Sequence, residues 1–209
     1  MPNAHESRPA ERWGAELDSA RLAVIAVHGR GQSPNVMRAL AERIDLPDLA
    51  WLAPVADDST WYPSPFTAPI ESNQPSLDGA LDAIERHGRE LSEAGFAADR
   101  VALLGFSQGA CLSIHSAISS PRTYRALISF TGGFIGAPGS VPVPGGRLDG
   151  LPTLLSTAAD DAWVPLWRVE ETARFLEGLG ADVDLRVHPG SQHEVTDDEI
   201  AAARELLAG

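Results

Sequence analysis

The sequence predicts a fold of the α/β class, a mainly parallel sheet with helices on both faces. Three observations carry that expectation. Short, unbroken apolar runs alternate along the chain with longer amphipathic stretches, as strands buried on both faces alternate with the helices that cover them. The 209 residues are 44% hydrophobic and 22% charged, which suits one soluble globular unit over 1–209 with a substantial core. A glycine-flanked serine then stands where one of those runs gives way to a helical pattern.

Taken in order, LAVIAV (22–27), VALLGF (101–106), ALISF (126–130) and TLLST (153–157) read as strands buried on both faces. VDLRV (183–187) alternates polar and apolar residues, as a strand near a sheet edge does. Helical periodicity runs over 35–45, 76–94, 108–119, 166–179 and 196–208. Residues 54–75 hold five of the 16 prolines and no regular period, which predicts a long ordered loop, and loops of that length usually serve function. The Gly/Pro-rich stretch 132–150 reads as a second surface excursion and a candidate cleft wall. The first twenty residues are expected either as a peripheral strand or as a partly loose segment.

Composition removes several function classes. All 16 basic residues are Arg and there is no lysine, so a Schiff-base lysine, lysine-bound pyridoxal phosphate and a Walker-type phosphate loop are excluded together. Against 29 acidic residues the net charge is −13, and no local basic stripe offsets it, so neither nucleic acid nor an anionic lipid surface is an expected partner. No apolar run approaches the roughly 20 residues of a membrane span, and the N-terminus lacks a signal-peptide core, so a cytoplasmic location is expected. The single cysteine, Cys111, cannot form an internal disulfide or a Cys-based zinc site and reads as a small buried hydrophobe. His188 and His193 with an aspartate make a poor metal set, lacking helical spacing and a third fixed ligand, so no metal and no cofactor are expected.

The strongest chemical signal is Gly105-Phe106-Ser107-Gln108-Gly109 between VALLGF and ACLSIHSAI. With a strand before it and a helix after it, this G-x-S-x-G motif predicts a tight turn that exposes the Ser107 hydroxyl at the carboxyl edge of the sheet. A serine hydroxyl attacks only when a histidine takes its proton, and the histidine needs a carboxylate to fix its tautomer. Downstream lie His115, His188 and His193. His115 is carried away along the helix, His188 closes a strand just before Pro189, and His193, in the loop PGSQHEV, has the freedom a base needs; His188 is its chief rival. For the acid, Asp160 and Asp161 are adjacent, and the spacing to Val164-Pro165 favours Asp161. Glu194, Asp197 and Asp198 read as residues of a helix start.

On these residues the chain resembles the phospholipase/carboxylesterase family of small serine hydrolases, which includes the acyl-protein thioesterases. The resemblance runs from about Val24 to the C-terminus, through His28-Gly29-Arg30-Gly31, GFSQGA, Asp161-x-x-Val164-Pro165 and Gly190-Ser-Gln-His193. It implies an α/β-hydrolase fold without a large cap domain, a triad of Ser107, Asp161 and His193, and ester or thioester hydrolysis. It also implies an oxyanion hole built from the main-chain N–H groups of Gln108 and Arg30. The HGRG turn and the Trp61-Tyr62-Pro63 segment are more similar to bacterial members than to the eukaryotic thioesterases. Arg30 departs from the small apolar residue of better-known members, and its side chain is expected to reach solvent, an acidic residue or an anionic substrate, in that order. Trp61, Phe66 and Trp163 are expected to line an apolar pocket for short to medium acyl or aryl esters. A thioesterase or lactone hydrolase would use the same triad. A non-catalytic ligand-binding protein on the same fold would be expected to have lost one of its members.

Overall fold

In a computed structural model, which describes residues 5, 9–120 and 122–209, seven strands form one sheet in the order β1-β3-β2-β4-β5-β6-β7. The strands are β1 (Glu11–Gly14), β2 (Leu22–Val27), β3 (Leu49–Ala53), β4 (Val101–Phe106), β5 (Ala126–Phe130), β6 (Pro152–Ala158) and β7 (Asp182–His188). All neighbours pair in parallel except β1 against β3. The expected α/β class and parallel sheet are thus observed. Four helices join strands, α1 (Pro34–Ile44), α2 (Ser76–Glu93), α3 (Gln108–Ser119) and α4 (Leu166–Gly178), and a fifth, α5 (Asp197–Ala208), follows β7.

The apolar runs are continuous because each interior strand feeds two cores. Along β2, Ala23, Ile25 and Val27 join the apolar side chains of α2, α3 and α4 on one face, while Leu22, Val24 and Ala26 join those of α1 and α5 on the other. The edge strand β7 keeps the predicted alternation over its first half, with Asp182 and Asp184 exposed, and loses it at Arg186 and Val187, where the apolar Val187 is the exposed residue. One strand went unread in the sequence, and within the first twenty residues a peripheral strand is observed. LAWLA forms β3, although Ala and Leu carry little strand propensity, because all five residues are buried between β1 and β2. ERWG forms the antiparallel edge β1, where Trp13 stacks on Trp51 with ring centroids 6.3 Å apart.

The sheet also fixes where a site can form. After β2 the chain goes to β3 on one side, while β4, on the other, carries the later strands. The strand order therefore reverses between β2 and β4, and in such sheets the crevice at the carboxyl ends of those strands is the place for a ligand. The 28–31 turn leaves β2 there, next to the Ser107 turn that leaves β4, with Val27 paired to Gly105. Among the described residues, no helix is long and apolar enough to cross a membrane.

Candidate active site

Ser107 occupies the one residue between β4 and α3, at φ 54° and ψ −119°, a conformation that costs a non-glycine residue energy and persists where its surroundings enforce it. Ser107 N–H donates to the Phe130 carbonyl (3.0 Å), and its own carbonyl accepts from Cys111 N–H (3.0 Å). The flanking glycines are steric requirements. A methyl on Gly109 would collide with the Val27 and His28 carbonyl oxygens, and one on Gly105 with the Gly109 carbonyl and Ala110.

Two loops bring the partners. The turn after β6 carries Asp161, whose side chain is fully buried. Its Oδ1 accepts from the Trp163 and Val164 N–H groups at 2.7 and 2.8 Å, which leaves Oδ2 to accept from His193 Nδ1 at 2.7 Å. The loop after β7 carries His193, whose Nε2 lies 2.8 Å from Ser107 Oγ and whose ring packs on Phe106 at 5.2 Å between centroids. Asp160 is exposed, and its N–H is tied to the Gly190 carbonyl at 2.9 Å, so it joins the two loops through its main chain. With Nδ1 donating to Asp161, His193 presents a basic Nε2 to the serine hydroxyl.

The other histidines are elsewhere. His188 has Nε2 at 3.8 Å from the buried Glu199, beyond hydrogen-bond distance, and Glu199 instead accepts from Ser156 Oγ (2.5 Å) and completes the capping box of α5 with Thr196. His115 is buried on α3, where desolvation pushes its pKa down to about 4. His28 is buried at the start of its turn and donates from Nδ1 to the Gly29 carbonyl (2.8 Å), while Nε2 accepts from Ala56 N–H (3.3 Å). Burial lowers its pKa, consistent with a neutral ring. Among the described residues, no three His, Cys, Asp or Glu side chains are grouped to hold a metal ion.

A cleft of about 440 Å³ opens beside Ser107 and His193, with Tyr62, Phe66, Cys111 and Val164 in its apolar wall and Trp163, 74% exposed, at its rim. Phe66 and Trp163 stand in the lining as expected, but Trp61 does not. It is wholly buried behind the wall because its indole N–H donates to the His28 carbonyl (2.8 Å) and its ring packs on His28 (5.0 Å) and His5 (5.4 Å). Tyr62, the next residue, takes its place in the lining. The buried thiol of Cys111 has its pKa pushed up to about 12, chiefly by desolvation, and is no nucleophile at neutral pH.

Arg30 also differs from the order expected for its side chain. Its guanidinium turns onto the 54–75 loop and donates to the Tyr62, Pro63 and Ser64 carbonyls at 2.8, 2.9 and 3.0 Å, and no carboxylate among the described residues pairs with it. The main-chain N–H groups of Arg30 and Gln108 have no acceptor among the described residues. No residue spacing announces the Arg30 contacts, because every residue offers a carbonyl.

The family model of phospholipases/carboxylesterases matches residues 15–208. A crystal structure of a phospholipase/carboxylesterase from Dyadobacter fermentans is 34% identical and superposes with a TM-score of 0.92 over 97% of each chain. A probable carboxylesterase of Arabidopsis thaliana, SOBER1-like, is 22% identical over 87% of this chain and 76% of its own length. Acyl-protein thioesterase 1 of Gibberella zeae is 24% identical over 55% of this chain, a match that spans half (50%) of that relative.

Proposed function

The chain belongs to the phospholipase/carboxylesterase family of hydrolases, and from that premise we propose that it is a serine esterase acting through an acyl-enzyme on Ser107. The observation that carries the reading is the unbroken line from Ser107 Oγ through both nitrogens of His193 to Asp161, at 2.8 and 2.7 Å. Ser107 Oγ attacks the ester carbonyl as His193 Nε2 takes its proton. Asp161 keeps the Nδ1 proton in place and stabilises the imidazolium that forms. The carbonyl oxygen becomes an oxyanion held by the N–H groups of Arg30 and Gln108, and one such donor is commonly worth about 10²–10³ in rate. His193 returns the proton to the departing alcohol. A water molecule, deprotonated by the same nitrogen, then releases the acid and restores Ser107. No step draws on a metal or cofactor.

The substrate class follows from the cleft. Its volume of about 440 Å³ and its wall of Tyr62, Phe66 and Val164 suit a short to medium acyl or aryl group. Thioester hydrolysis is a second reading, favoured by the similarity to a protein named as a thioesterase. A panel of p-nitrophenyl esters of increasing acyl length, acyl-CoAs and lactones separates these substrates. A fluorophosphonate should label wild type and leave Ser107→Ala unlabelled, inactive and folded. Labelling or turnover that survives in the variant would refute the serine mechanism.

A further inference from the structure

We propose that the Arg30 side chain is a positioning residue which locks the pocket wall to the oxyanion-binding turn, so that acyl fit is expressed in kcat. The inference rests on the serine-esterase reading and adds to it a role for side chains whose main-chain groups alone that reading uses. Six hydrogen bonds join the 28–31 turn to the 54–75 loop, and they run in both directions. His28 Nε2 accepts from Ala56 N–H, and the His28 carbonyl accepts from the Trp61 indole (2.8 Å). Gly31 N–H donates to the Ser59 carbonyl at 2.7 Å. The Arg30 guanidinium, though exposed, spans the Tyr62, Pro63 and Ser64 carbonyls, and its carbon lies 6.0 Å from the Tyr62 ring centroid.

The other proposed oxyanion donor belongs to a residue that grips the same segment. Gln108 accepts from Trp61 N–H through Oε1 (3.1 Å) and donates from Nε2 to the Tyr62 carbonyl (2.8 Å). Segment 61–64 is therefore held at once by the side chains of both residues whose N–H groups face the oxyanion in the proposed mechanism. Buried Gln108 contributes neutral hydrogen bonds, whereas Arg30 contributes charge-assisted ones, which are roughly twice as strong. A wall seated this way cannot shift to suit an acyl chain without moving the oxyanion donors. Binding energy from the wall then stabilises the transition state more than the ground state, which raises kcat.

The test compares wild type with Arg30→Ala, which keeps the main-chain N–H and deletes the three guanidinium bonds. Two readouts are needed: kcat and KM for p-nitrophenyl butyrate, and the inhibition constant of butylboronic acid, a mimic of the tetrahedral state. Since losing a whole oxyanion donor costs about 10²–10³, a displaced donor should lower kcat and weaken the boronate by roughly tenfold, with KM changed by less than about threefold. A rise in KM with kcat and boronate affinity intact would overturn the proposal, because the clamp would then shape the wall alone. Unchanged values in all three would overturn it too. Trp61→Phe removes the indole tie to His28 together with part of a buried ring, should show the same pattern more weakly, and decides the matter if Arg30→Ala does not fold. If the boronate fails to compete in wild type and Ser107→Ala stays active, the esterase reading itself falls. If both behave as expected and the Arg30 pattern is absent, this inference alone falls.

Discussion

Replacing Asp161 by Asn tests the proposed triad at the point where two neighbouring acids compete. In the native side chain Oδ1 is committed to the Trp163 and Val164 N–H groups, and Oδ2 accepts from His193 Nδ1. Those two main-chain donors demand an acceptor, so an asparagine should seat its carbonyl oxygen there and turn its NH2 toward His193. The imidazole would then have to accept at Nδ1 and carry its proton on Nε2, the tautomer that cannot take a proton from Ser107. Loss of the triad carboxylate typically lowers kcat by about 10⁴ through this change and the lost stabilisation of the imidazolium. Asp160 offers little rescue, because its main chain is pinned to Gly190 and its side chain is exposed. Asp161→Asn should therefore stay folded and fall toward the full loss, whereas Asp160→Asn should remain within a few-fold of wild type. Saturating kinetics on p-nitrophenyl butyrate give the rates, and the ring N–H of His193 in NMR spectra should move from Nδ1 to Nε2 in Asp161→Asn. A crippled Asp160→Asn beside a near-normal Asp161→Asn would refute the reasoning.

Phe66 is 8% exposed in the cleft wall, so Phe66→Ala should open space and shift kcat/KM toward longer acyl chains. An unchanged chain-length ratio would leave Phe66 as a ring that packs the loop. Incubation with EDTA should not change the rate on any hydrolysed ester, and loss of activity restored by zinc would refute a metal-independent mechanism.

What could be read from the residues was what local pattern encodes. Interior strands such as LAVIAV and VALLGF are marked by apolar residues on both faces, and the Ser107 turn by glycines that no larger residue can replace. Asp161 and His193 could be ordered because chain order in this fold restricts where an acid and a base can stand. The strand LAWLA escaped because its composition suits a helix equally well and its neighbours in the sheet make it a strand. Trp61 was misplaced by one residue for a similar reason: in an irregular loop no periodicity tells which aromatic faces the cleft, and its indole finds a carbonyl 33 positions back in the chain. The Arg30 clamp is the extreme case, a side chain satisfied wholly by main-chain oxygens, which carry no residue identity.

His115 gives a prediction about stability that is separate from the proposed chemistry. The ring is 7% exposed on α3 and its Nδ1 has no hydrogen-bond partner, so burial holds its pKa at about 4 against an ordinary 6.5, with Asp78 opposing that shift weakly. Below the ordinary value the unfolded chain takes up a proton that the folded chain refuses until about pH 4. The neutral ring's contribution is therefore intact above pH 6.5, is lost as pH falls from there to about 4, and changes no further below that. At about pH 4.5 the linkage amounts to roughly 2.5 kcal/mol of destabilisation. His115→Leu keeps an apolar side chain of similar bulk, sacrifices no hydrogen bond at Nδ1, and removes the titration. Urea unfolding at about pH 7.5 and pH 4.5 should show the leucine variant gaining on wild type by roughly 2 kcal/mol at the lower pH. His28 and His87, whose pKa values burial also lowers, are present in both proteins and cancel in the difference. A stability gap that is the same at both pH values would mean that the His115 ring takes up its proton as readily in the folded chain as in the unfolded one.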